Sequence, residues 1–179
     1  MKIKLGYALL FLFIIGIGYY AFNRDSNQKF ENFKITLQVI PFNEKEIQIF
    51  YKLNSDDRYS EDYSYTKFVD ASNNEKEIVF EFDKGIKPKN IRIDFTKTPN
   101  DSIGFNSIKF EYNELSFEGN LKDFSSWFTG EHFYLSKSKP NIIYFKPDTI
   151  QSPYDPVFNG NQSLNSKLIK LFPPNKYDF

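Results

Sequence analysis

Residues 32–40 read NFKITLQVI, and in them Phe33, Ile35, Leu37 and Val39 fall at every second position. A period of two places four apolar side chains on one face of an extended strand and the polar ones on the other. Pro41-Phe42-Asn43 breaks the pattern, and KEIQIFYKL resumes it with Ile47, Ile49 and Tyr51. Similar short segments follow: SYTKFV over 64–69, KEIVFEF over 76–82, NIRIDFT over 90–96 and FNSIKFEY over 105–112. LSFEG (115–119), a stretch around Phe124 to Phe128, EHFYL (131–135) and NIIYF (141–145) extend the series. Turn-forming groups separate them, among them Ser72-Asn73-Asn74, Lys84-Gly85 and Pro99-Asn100-Asp101. Short alternating segments at this spacing predict an antiparallel β-sandwich over residues 32–150. Phe and Tyr, 21 and 12 of the 179 residues, favour the same pleated, half-buried surfaces.

The N-terminus is of another kind. From Leu5 to Phe22 the chain reads LGYALLFLFIIGIGYYAF without a charge. Such a segment makes about 27 Å of helix, close to the roughly 30 Å of a bilayer core. Lys2 and Lys4 precede it, so the positive-inside rule keeps the N-terminus in the cytoplasm and exports the rest. A cleaved signal peptide needs small residues before its cleavage site, where this chain has Tyr19, Tyr20 and Phe22. Residues 1–23 are therefore expected to be a single-pass signal anchor in the cytoplasmic membrane, contacting lipid through 5–22. Residues 24–31 are expected to be a linker, and the domain beyond to be periplasmic or extracellular.

Charge and composition exclude several classes. From Asn23 onward there are 21 basic and 23 acidic residues, a net charge of −2, which does not suit the counterion displacement that nucleic-acid binding requires. With no Cys and one His, disulfides and thiolate zinc sites are excluded; a zinc site usually needs more than one His or Cys and a nucleophilic triad needs Ser and a carboxylate beside the His, so His132 within EHFYL reads as a strand residue. No metal or other cofactor is expected. Clustered Asp56, Asp57, Glu61 and Asp62 lack the 1-3-5 ligand spacing of an EF-hand and read as a solvated loop.

The same loop region holds Tyr51, Tyr59, Tyr63 and Tyr65, and Trp127 lies farther on. These rings are candidates for glycan or partner contact, since an aromatic face stacks on the C–H face of a sugar and a phenol bonds its hydroxyls. The bland alternative is a cross-strand aromatic ladder and core. After the turn-rich SPYDP (152–156), residues 151–179 read as a C-terminal extension with one short helix over SLNSKLIKLF (163–172). Its Leu168, Ile169, Leu171 and Phe172, with Phe179, are candidates for partner docking.

The run from FKITLQV through EIQIFYKLN, EKEIVFEFD and NIRIDF to Gly104 and SIKFEY resembles the extracytoplasmic β-sandwich domain appended to some bacterial polytopic membrane proteins and glycosyltransferases of surface-polysaccharide pathways. More loosely, it is similar to galactose-binding-like jelly-roll modules, in which an I-R-I-D strand, a loop and a Gly precede an I-x-I strand. The resemblance implies a jelly-roll-like fold and a glycan ligand. It departs where Asp94 continues into Phe95-Thr96 instead of Asp-Pro-Gly, and no enzymatic activity is carried over from it. The expected function is a non-catalytic, membrane-anchored accessory or docking subunit with an envelope protein partner. The alternative is a glycan-binding module, and the third reading, a glycoside hydrolase, needs two carboxylates facing one cleft.

Overall fold

A computed structural model describes residues 32–55, 57–96, 98–146 and 156–172. The apolar segment 5–22 and the linker lie outside these residues. Among the described residues no helix is long and apolar enough to cross a membrane.

The described chain is mainly β. Its strands are β1 (Lys34–Ile40), β2 (Lys45–Lys52), β3 (Ser64–Val69), β4 (Lys76–Glu81), β5 (Asn90–Asp94), β6 (Ser102–Tyr112), β7 (Leu115–Gly119), β8 (Phe128–Gly130), β9 (Phe133–Leu135), β10 (Ile142–Phe145) and β11 (Val157–Gly160). Two α-helices, α1 (Leu121–Trp127) and α2 (Gln162–Leu171), and a short 3-10 helix over Glu61–Tyr63 complete the described elements. The strands form two antiparallel sheets, consistent with the expected sandwich. The first sheet runs β4-β1-β6-β10-β9, with β7 also on β6, and the second runs β3-β2-β5-β11-β8.

The alternation seen at 33–39 is the core itself: Phe33, Ile35, Leu37 and Val39 are wholly buried. From the facing sheet come Ile47, Ile49, Ile91, Ile93 and Phe158. Strand β6 is longer than its sequence pattern suggests, because the pattern changes phase inside it. Ile103 and Phe105 point inward, and after Asn106 and Ser107 so do Ile108, Phe110 and Tyr112. The register against β1 slips between Gln38 and Val39. One extra residue at that point is a β-bulge, and it lets both halves of β6 keep their apolar residues in the core. One flank of β6 is shared: Ser102–Gly104 pair with β10, and Ile108–Tyr112 pair with β7.

Three local expectations need correction. The stretch around Phe124 to Phe128, read as strand, is mostly helix α1. Asn120 caps it by accepting from the backbone N–H groups of Lys122 and Asp123, while Asp123 accepts from the N–H of Asn120. Leu121, Phe124 and Trp127, three apart, line its buried face. His132 is not in a strand; it sits at a left-handed turn with φ 59°. Within the expected C-terminal extension, Val157–Gly160 is a strand of the second sheet, hydrogen-bonded between β5 and β8. Helix α2 then follows, capped by the Asn161 side chain, whose amide also donates to the carbonyl of Ser126 at the end of α1.

Candidate binding surfaces

The tyrosines of the loop region divide between core and surface. Tyr51 follows Ile47 and Ile49 in phase, so its ring turns inward, 5.3 Å from Phe82 and 5.9 Å from Tyr65. The hydroxyl of Tyr65 donates to Asp83 Oδ2 at 3.2 Å and accepts from the Asp83 N–H at 3.1 Å. Burial pushes both phenols above the usual tyrosine value, so they act as neutral groups at physiological pH. Tyr63 stands with its edge to Tyr51 at 5.5 Å and is 41 % exposed.

Tyr59 belongs to a different surface. The segment 57–63 lies against the outer side of the second sheet, where Phe50 of β2 and Arg92 of β5 are register partners. Arg92 grips Asp94 with two hydrogen bonds, 2.9 and 2.6 Å, while its guanidinium sits 4.8 Å over the Phe50 ring. Gln48 donates to Glu61 at 2.5 Å, and Lys52 places its ammonium 4.4 Å from the centre of the Tyr59 ring. The Tyr59 hydroxyl is buried without a hydrogen-bond partner among the described residues, and burial pushes it far above its ordinary pKa. In the acidic loop Asp57 accepts from the Asn54 N–H at 2.8 Å, and Asp56 lies outside the described residues. Among the described residues no three His, Asp or Glu side chains gather as a metal-holding group.

Trp127 is buried at the end of α1, edge-on to Phe117 at 5.4 Å, with the Lys167 ammonium of α2 4.8 Å over its ring. The candidate docking residues of α2 also separate. Leu168 and Leu171 are buried in the domain's own core, and Phe172 packs on Phe33 at 5.2 Å and Tyr112 at 5.0 Å. Ile169 alone of these points outward, 62 % exposed, and Phe179 lies outside the described residues.

Two surfaces escaped sequence reasoning. Among the described residues strand β3 is an edge of the second sheet, paired only with β2, and its Thr66, Lys67 and Phe68 are exposed. Phe68 is 81 % exposed, an unusual setting for a phenyl ring on an edge that could pair with another chain. At the other end of the first sheet, Tyr134 of β9 and Tyr144 of β10 are register partners. Their rings stack 5.1 Å apart with an interplanar angle of 11°, and Tyr134 is 49 % exposed. Alternation in YSYTKFV was legible, but edge position is a property of the sheet order and left no local signal.

The described residues form a two-sheet antiparallel β domain with exposed aromatic rings on two edge strands, Phe68 on β3 and Tyr134 on β9. The chain matches no protein family, no curated protein and no solved structure.

Proposed function

We propose that this chain is a non-catalytic docking module of the bacterial envelope. Residues 5–22 hold it in the cytoplasmic membrane, and the open edge of β3 receives a segment of an envelope protein partner. The observation that carries the reading is Phe68, 81 % exposed on a strand with one side unpaired among the described residues. Edge strands are commonly blunted by charge, and β4, one edge of the other sheet, carries Lys76, Glu77 and Glu81; β3 has a single Lys67. Strand addition supplies main-chain hydrogen bonds, and an exposed ring beside them supplies specificity. Burial of Leu168 and Leu171 in the domain moves the expected contact from the C-terminal helix to this edge.

The test is affinity capture from solubilised membranes with the full chain and its Phe68→Asp variant. Loss of a specific partner with an unchanged melting temperature supports the reading; identical partners in both captures refute it.

A second reading has its own observation. The stacked Tyr134–Tyr144 pair offers an aromatic surface of the kind that sugar rings stack on, in line with the galactose-binding-like resemblance and its implied jelly-roll topology. On that reading the module serves surface-polysaccharide assembly.

A further inference from the structure

At one end of the core, Lys45 opens β2 and Asp101 immediately precedes β6. Lys45 shares the inward phase of Ile47 and Ile49, and its side chain is 0 % exposed, against 3 % for Asp101. Its Nζ stands 2.5 Å from Asp101 Oδ2. The other carboxylate oxygen, Oδ1, accepts from the Ser102 N–H at 2.7 Å and from Asn43 Nδ2 at 2.8 Å. Oδ2 accepts a further bond from the Thr96 hydroxyl at 3.0 Å, and Thr96 is itself held by the Thr98 N–H.

The donors do not balance. An ammonium brings three N–H groups, and among the described residues this one has a single acceptor, in a place closed to solvent. A buried charge with unfilled donors is costly, whereas a secondary amide has one N–H and no charge. We propose that Lys45 and Asp101 condense to an intramolecular isopeptide bond, which joins the start of β2 in one sheet to the start of β6 in the other.

The chemistry closes without a cofactor. A proton passes from Nζ to Oδ2 and leaves a neutral amine beside a carboxylic acid, the two forms that can react. Nζ attacks Cγ, and the charge that develops on Oδ1 falls on the N–H donors of Ser102 and Asn43, arranged as an oxyanion hole is. A second proton moves from the nitrogen to Oδ2, with the Thr96 hydroxyl in reach as a relay. The Cγ–Oδ2 bond breaks, the Nζ–Cγ bond remains, and one water departs with net charge unchanged. Before reaction, burial pushes the Asp101 carboxyl up, but hydrogen bonds from Lys45, Asn43 and Ser102 outweigh it and hold the group below the usual carboxylate range. Condensation follows folding, which alone brings Lys45 and Asp101 together.

The test is the intact mass of the full chain, purified in detergent and then denatured, with peptide mapping. The expected mass is lower by one water than the chain's own residues require. A branched peptide joins the segments around Lys45 and Asp101, and it is absent from the Lys45→Arg and Asp101→Ala variants. Full mass after long incubation of the folded protein leaves an ion pair only and overturns the proposal. So does a water loss that maps to a succinimide at any Asp or Asn. Because the wild-type chain is measured denatured, neither result depends on a variant folding.

Discussion

Leu168 and Ile169 are neighbours on α2 with opposite surroundings, 1 % and 62 % exposed. If α2 is part of the domain, truncating each to Ala has very different consequences. Leu168→Ala removes buried methyl groups and leaves a cavity beneath the helix, a change that costs about 3 kcal/mol in well-packed cores. Native domains hold only about 5–15 kcal/mol in total. Ile169→Ala removes atoms that water already touches, with an effect inside about 0.5 kcal/mol. With a urea dependence of about 2 kcal/mol per molar, the first variant lowers the unfolding midpoint by about 1.5 M and the second leaves it in place. Equilibrium urea unfolding of a fragment beginning at residue 24, followed by far-ultraviolet circular dichroism, reads both. Equal small shifts would refute the packing of α2 on the core. A large shift for Ile169→Ala alone would mean the helix is rotated.

Two further outcomes test other parts of the structure. A Cβ on Gly119 would overlap Trp127 and stand 2.5 Å from the Cβ of Asp123, so Gly119→Ala overpacks the α1 face and destabilises by about 1–3 kcal/mol. The single tryptophan's emission should shift with it; a variant of wild-type stability and spectrum counts against this packing. If the glycan reading holds, Tyr134→Ala weakens binding on a glycan array about fivefold through loss of one stacking ring worth about 1 kcal/mol, while equal signals from both proteins remove the Tyr134–Tyr144 surface as the contact.

The sequence was most informative where burial on one face imposed a strict period. Phe33 to Val39 and Ile47 to Tyr51 declared their inward sides because a one-residue slip would have sent every apolar side chain to water. In β6 the apolar spacing changes from two to three between Phe105 and Ile108, and that irregularity was the bulge written in sequence. Helix α1 was missed because seven residues barely complete two turns and Phe124, Trp127 and Phe128 read equally well as a strand. Its signal was Asn120 followed three positions on by Asp123. Strand β11 offers only Val157 and Phe158 before Asn159-Gly160, too short a run for alternation to register. Lys45 and Asp101 were out of reach altogether, since nothing local links residues 56 positions apart. The tyrosines illustrate the limit of composition: one cluster of four rings became core, edge and loop cover according to phase and sheet position.

Strand β11 has a kinetic consequence. It lies between β5 and β8, so among the described residues β8 has no partner in its sheet until residues 157–160 exist. Until then the slot that Phe158 fills, against Phe95, Phe124 and Phe133, stays open. Residues through about 160 must therefore emerge before the second sheet can close, and such long-range pairing is slow. A nascent chain stalled short of residue 157 would present a row of bare phenylalanines, a natural client for a chaperone.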